Sequence, residues 1–459
     1  MFYTFTQSIL YAKLIKKSTG GAMSSYIRKE TPGNTEWFVH DRFGMFIHFG
    51  LYSMPARHEW IKTFEEIDDE KYDKYFKFFN PDLFDAKEWA KKAREAGMKY
   101  AVLTTKHHEG FCLFDSQYTD YKITNTPFGR DLVKEYVEAF RAEGIKIGFY
   151  YSLIDWHHPE FPIDGIHPFR NKDYAEAMDK GRDVRKYAEY MRNQVEELLT
   201  NYGKIDILWF DFSYANKEPE SVLPGAKPAK PWMQHNGWKG KDEWESEKLI
   251  SLIRKINPEI IINNRLGIPQ DTVTPEQSQP DSWRRDEVTG EYLTWEVCHT
   301  FSGSWGYNRD EMTWKSPEML IESLVKTVAY GGNLIMNVGP TSRGTFDSRA
   351  NKALDVYADW MKYNSRSIYG CTMAEPEFIA PPATVLTQKE DGSRLYVHLF
   401  SYPFKALTLK NAADKIQYAQ ILNDGSEILY KINEDNSVTF NLPIISPQKI
   451  VPVIEIFLK

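Results

Sequence analysis

The feature that most limits how this chain can fold is an alternation. From residue 44 onward, short β-rich apolar runs alternate with longer stretches whose apolar residues recur at helical spacing. A chain with that rhythm lays its strands parallel, because each return passes through a helix. GMFIHFG (44–50) precedes DAKEWAKKAREAG (85–97), whose last glycine is a helix C-cap, and KYAVLTTKHH (99–108) follows as the next strand. The unit repeats as DLVKEYVEAFRAEG (131–144) with IKIGFYYSLI (145–154), then RDVRKYAEYMRNQVEELLTNYG (182–203) with IDILWFDFS (205–213), then EKLISLIRKIN (247–257) with PEIIINNR (258–265). Beyond 265 the rhythm lapses. A polar segment to about 291 carries no helix, YLTWEVCHT (292–300) reads as a strand, and the alternation resumes over 316–340 with a closing helix at 350–370. The expectation is a (β/α)8-like barrel of the TIM type, with seven clear strands, an uncertain eighth and an incomplete helix ring, spanning 31–372. From 373 to 459 the texture changes to short period-2 runs separated by DG, NDG and NEDN turns, a small antiparallel β-domain. Residues 1–30 read as an unstructured leader or tag.

Composition narrows the function classes. The formal net charge of −7 lacks the basic footprint of a nucleic-acid binder, and no stretch approaches the roughly 20 apolar residues of a membrane span. The apolar part of MFYTFTQSILYAKLIKK is broken by Thr, Gln and Ser and has no basic segment before it. It makes a poor signal peptide, so the expected location is cytoplasmic, with secretion left open. Three widely spaced cysteines, Cys112, Cys298 and Cys371, indicate neither a disulfide framework nor a zinc knuckle. Thirteen tryptophans fit either an aromatic core or a pocket that packs on the C–H faces of sugar rings.

In a βα-barrel the chemistry sits where strands end at their C-termini. Here those ends carry His48, with His58, Glu59 and Trp60 just after; Lys106, His107, His108 and Glu109; Tyr150, Tyr151 and Ser152; Trp209 and Asp211; and Asn263, Asn264 and Arg265. One such residue has a structural explanation more often than not, but five coincident strand ends describe a polyol pocket with aromatic walls, whose partner is a small molecule. A metal is the rival account of so many histidines. The first strand offers Ile47-His48-Phe49 in place of His-x-His, and alternation along an extended strand sends His107 and His108 to opposite faces, so neither a metal nor another cofactor is expected. Two carboxylates suffice for glycoside hydrolysis, and Asp211, ending the apolar run IDILWF, is the best nucleophile candidate.

Taken in order, FGMFIHFG, RHEW, TTKHHEGF, YYSLIDW, LWFDFS, INNR, TPEQ, TWEVC and SWGYNRDE resemble the family 29 glycoside hydrolases, the α-L-fucosidases, over roughly residues 35–345. The resemblance implies a retaining double displacement on terminal α-L-fucosides without cofactor, and a C-terminal β-sandwich. It matches Asp211 to the nucleophile, although Phe212 follows where glycine is common. It names Glu276, within Val273-Thr274-Pro275-Glu276-Gln277, as the acid/base, with Glu296 of TWEVC as runner-up. For sugar binding it points to His48, Glu59, Trp60, His107, His108, Tyr151 and Arg265, with Trp305 as a wall for the C5 methyl. A fucose-binding protein without turnover and a barrel glycosidase of other sugar specificity are the competing readings. Linkage preference and homo-oligomerisation are left open.

Overall fold

The computed structural model describes residues 26–214 and 229–459. Seven parallel strands form one sheet: β1 (Phe43–Ile47), β2 (Tyr100–Lys106), β3 (Lys146–Ser152), β4 (Ile207–Asp211), β5 (Ile261–Ile262), β6 (Glu296–Thr300) and β7 (Asn333–Val338). Their spatial order is β5-β4-β3-β2-β1-β7-β6. Six helices cover the outside: α1 (Ala86–Glu95), α2 (Leu132–Ala142), α3 (Val184–Asn201), α4 (Ser246–Ile256), α5 (Pro317–Ala329) and α6 (Ser348–Asn364). Several start on a side-chain cap that the sequence supplies: Asp85, Asp131, Asp183, Ser316 and Asp347 each accept a backbone N–H of the first turn. Helix α5 shows why these segments dock. Leu320, Ile321, Leu324, Val325 and Val328 form one buried stripe at helical spacing, each side chain contributing roughly 2 kcal/mol of apolar burial.

The gap between β5 and β6 is where the sequence rhythm lapses, and segment 272–277 fills it. It bridges in parallel to both sides through Asn263↔Thr272, Val273↔Trp295 and Glu276↔Cys298. The bonds that fasten it to β6 include Glu296 N to Val273 O at 2.9 Å and Gln277 N to Cys298 O at 3.0 Å. This irregular ribbon stands at the place of the uncertain eighth strand; the chain between it and β5 holds only the 3-10 turn Asn264–Leu266 and no α-helix separates it from β6, so the helix ring is incomplete there.

Beyond the barrel, a five-stranded antiparallel sheet beginning with Cys371–Met373 faces a three-stranded one, with a separate core that includes Val397, Leu409, Phe440 and Ile454. This β-sandwich is joined to the barrel by Arg42, fully buried, whose Nε donates to Cys371 O and whose Nη1 donates to Gly331 O, both at 2.8 Å. Residues 1–25 of the expected leader lie outside the described residues. Residues 26–30 lie against the barrel, Tyr26 packing on Trp283 at 5.3 Å and Lys29 N bonding Tyr292 O at 2.8 Å. Among the described residues no helix is long and apolar enough to cross a membrane.

The barrel interior holds every second residue of its strands: Phe46, Tyr100 and Val102, Tyr150, Ile207 and Trp209, Ile261, Cys298 and Ile335. Within this layer Glu296, at the start of β6, accepts from Tyr100 Oη at 2.5 Å and from Trp209 Nε1 at 3.1 Å. Burial raises its carboxyl to about 7, against the opposing pull of those two hydrogen bonds. A carboxyl raised on folding contributes stability below its unfolded value of 4.5 and loses it as pH climbs to about 7, an effect worth roughly 3 kcal/mol for a shift of that size. Thermal unfolding of Glu296→Gln should therefore match the parent at pH 4.5 and exceed it at pH 7.5; equal melting temperatures at both pH values would refute the buried-acid description.

Candidate active site

Asp211 terminates β4 on the interior face, two residues beyond Trp209, and is 9% exposed. Its Oδ2 accepts from Tyr150 Oη at 2.9 Å and its Oδ1 from Arg265 Nη1 at 2.7 Å. Arg265 sits on the turn that leaves β5. Its guanidinium lies 4.5 Å over the Trp209 ring, and its Nη2 is 2.8 Å from Glu276 Oε2. One guanidinium thus holds both carboxylates. Thr274 fixes its remaining edge, accepting from Nε at 3.0 Å. The Arg265 pKa is driven further up by the two carboxylates, although burial, the largest influence, opposes them. Glu276 itself is 42% exposed along its side chain, at the rim of the cleft.

The cleft is lined by Phe46, His48, Glu59, Trp60, His107, His108, Tyr150, Trp209, Asp211, Phe212, Glu276, Cys298 and Trp305. His48 Nδ1 lies 2.6 Å from Asn337 Oδ1, while Asn337 Nδ2 donates to Trp305 O at 2.6 Å. The amide orientation is therefore fixed, Nδ1 carries the hydrogen, and Nε2 is left as an acceptor. His108 is set the same way: Ser152 Oγ donates to Ile154 O at 2.9 Å and accepts from His108 Nδ1 at 2.7 Å. Burial holds both rings well below the usual histidine range, with His107 as the next cause for each, so both are neutral. Glu59 uses Oε2 to accept from the backbone N–H groups of Trp305 and Gly306, at 3.2 and 2.9 Å, which seats Trp305 5.1 Å from the His48 ring. Neutral acceptors, three carboxylates and three tryptophans within one small cleft suit a hydroxylated ring with an apolar face.

The structure brings Asp211, Glu276, His48, Glu59, Trp60, His107, His108, Trp209 and Trp305 to this cleft, with Arg265 bridging the two carboxylates. Three expectations need correction. Tyr151 faces outward, its Oη donating to Gln194 Oε1 at 2.7 Å and its ring lying 4.4 Å from Lys106 Nζ in the helix layer. Strand alternation gives the inward position to Tyr150, which the register pairs with Trp209 as it pairs Ser152 with Asp211. Second, His107 and His108 do not diverge. Strand β2 ends at Lys106 and the chain turns, Gly110 N bonding His107 O at 3.0 Å, so the two rings lie 3.9 Å apart and both line the cleft. The opposite-faces argument against a metal therefore fails; among the described residues, no group of three or more His, Cys, Asp or Glu is arranged to hold one. Third, Glu296 lies beneath Trp209 and does not line the cleft.

Asn263 and Asn264, expected among the polyol ligands, act on the backbone. Asn263 clamps Phe210 through both its N–H and its C=O, and Asn264 Oδ1 accepts from Thr274 N at 3.2 Å. Sequence reasoning missed Asn337 and the lining role of Phe212. Phe212 has φ +77°, a left-handed conformation that costs a non-glycine residue about 1 kcal/mol or more.

Comparison with known proteins points to one family. A family model described as alpha-L-fucosidase matches residues 21–366. The alpha-L-fucosidase of Dictyostelium discoideum is 26% identical, the alignment covering 98% of this chain and 97% of the relative. The solved structure of alpha-L-fucosidase isoenzyme 1 from Paenibacillus thiaminolyticus superposes with a TM-score of 0.83 at 42% identity, covering 93% of this chain and 98% of that one. A family 29 alpha-L-fucosidase from Bacteroides thetaiotaomicron, trapped as a covalent intermediate with 2-fluoro-fucosyl fluoride in a glutamate-to-glutamine variant, superposes with a TM-score of 0.76 at 27% identity over 95% of this chain and 98% of that one. The chain belongs to the alpha-L-fucosidase family, glycoside hydrolase family 29.

Proposed function

We propose that the chain is a retaining exo-α-L-fucosidase in which Asp211 is the nucleophile and Glu276 the acid/base. The observation that carries this reading is the single guanidinium of Arg265 shared by the two carboxylates, at 2.7 and 2.8 Å. Such sharing suits the separation of about 5–5.5 Å between carboxyl groups that direct displacement requires. In the first step Asp211 attacks C1 of the fucosyl unit while protonated Glu276 gives its proton to the departing oxygen. The C1–O bond breaks as the C1–Oδ bond forms. In the second step ionised Glu276 takes a proton from water, which attacks C1 from the face the leaving group vacated and releases Asp211. Each stage carries one negative charge on the pair: on Asp211 before attack, and on Glu276 once Asp211 is esterified. One fixed guanidinium therefore answers the charge at both stages.

His48, Glu59, Trp60, His107, His108, Trp209 and Trp305 are the proposed sugar ligands. The Nε2 acceptors of His48 and His108 receive ring hydroxyls, and Trp305 packs on the C5 methyl. A binding protein without turnover has no need of an acid opposite Asp211. The partner is a fucosylated glycoside or oligosaccharide. The proposed place of action is the cytoplasm, which cell fractionation tests.

Purified protein should release nitrophenol from the α-L-fucoside and not from the β-D-galactoside, unchanged by EDTA. Loss on chelation with recovery on adding zinc would overturn the metal-free reading. Asp211→Ala should lower turnover of every substrate by at least about 10³-fold. Glu276→Ala should retain the first step on an aryl fucoside and yield α-fucosyl azide when azide is added, whereas Asp211→Ala yields the β-azide. Obtaining the α-azide from Glu296→Ala instead would move the acid/base to Glu296. Tyr150→Phe removes one hydrogen bond from the nucleophile and should cost about tenfold in kcat/KM, while Tyr151→Phe leaves it within about twofold because that hydroxyl faces the helix layer.

A further inference from the structure

Outside the residues used above, the cleft continues into an aromatic surface. Trp60, which lines the cleft, stands 5.1 Å from the ring of Phe212 on one side and is stacked on Phe64 at 6.1 Å and 26° on the other. The His58 ring is 5.0 Å beyond, against Phe64. Phe64 ends the short helix Ile61–Phe64 and is 49% exposed. A lone exposed aromatic needs no explanation, but this one extends a pocket wall outward without a break. Phe212 supplies an independent observation at the inner end. It is the residue directly after the nucleophile, it holds a left-handed backbone that glycine would adopt freely, and its ring rests 5.0 Å from His108. Glycine at that position would relieve the backbone and remove the ring; the chain keeps the ring.

We propose that Phe212, Trp60 and Phe64 form a ledge that is the leaving-group subsite, taking an aglycone with a flat apolar face, either an aryl group or the C–H face of a second sugar. The proposal rests on the fucosidase reading and adds to it the class of leaving group. Phe212 and Trp60 line the same cleft as Glu276, the group that protonates the leaving oxygen, and the ledge carries that lining outward to Phe64. Stacking on the ledge holds the aglycone in the first step and is absent once the fucosyl-enzyme has formed. Its effect therefore belongs to kcat/KM and not to the shared second step.

The test compares three substrates that share the fucosyl unit: 4-nitrophenyl α-L-fucoside, a fucosyl-N-acetylglucosamine disaccharide and α-L-fucosyl fluoride, whose leaving group is a single atom with nothing to stack. Phe64→Ala should lower kcat/KM about fivefold on the first two and leave fluoride release within about twofold of the parent. Phe64→Tyr, which keeps the ring, should restore all three. A loss confined to the aryl substrate or to the disaccharide supports the ledge and identifies its ligand. Unchanged values on both, or equal losses on all three, would overturn it. Should Phe64→Ala not accumulate as folded protein, Phe64→Leu, which keeps apolar bulk without a flat face, is read in the same way. A parent protein that releases no fluoride would sink the fucosidase reading itself, an outcome distinct from every result of the Phe64 comparison.

Discussion

The guanidinium of Arg265 is the point on which the rest of the site depends. It joins the end of β4 to segment 272–277, two pieces of chain that share no backbone hydrogen bond, by holding Asp211 on one nitrogen and Glu276 on the other. Much of the nearby polar structure serves to aim it. Trp209 lies under its face, Thr274 takes its Nε, and Asn264 fixes Thr274. A lysine could neutralise either acid but not both in a fixed plane, because its ammonium is a point charge without a fork.

Below that pair, the barrel separates two kinds of carboxyl by environment. Glu296 is enclosed between Tyr100 and Trp209, and burial keeps its proton on to about pH 7. Asp211, one layer higher on the same interior face, meets Arg265 and a tyrosine hydroxyl and faces the cleft. The two carboxyls differ in surroundings: Glu296 is enclosed among rings, whereas Asp211 meets a guanidinium at the cleft.

Much of this was legible in the sequence. The β–helix rhythm gave the barrel, and the polar strand ends gave His48, Asp211 and Arg265. What failed did so for identifiable reasons. The resemblance points to Tyr151 because it locates a motif and not a side-chain direction; counting by twos back from Ser152, the register partner of Asp211, reaches Tyr150 and leaves Tyr151 outside. His107 and His108 were treated as strand residues, but the strand had already ended at Lys106, and a boundary one residue off reverses which face a side chain takes. Asn263 and Asn264 have the composition of sugar ligands, yet their amides match backbone groups equally well, and only the fold reveals which they serve. The eighth barrel position was illegible because segment 272–277 makes scattered bridges in place of a ladder, so it lacks the periodicity that marks a strand.

That last segment both closes the barrel and carries the glutamate proposed as the proton donor. Elsewhere the strands pair in continuous ladders and alternate with helices along the chain, whereas this ribbon is held by isolated bridges with no α-helix between it and β5 or β6. The hoop therefore has a seam, and the proposed acid, Glu276, is sewn into it. Heat or denaturant that lifts the ribbon would carry the proposed acid away from Asp211 while the hydrophobic body of the barrel is still intact, because local opening of such a stretch needs no loss of the core.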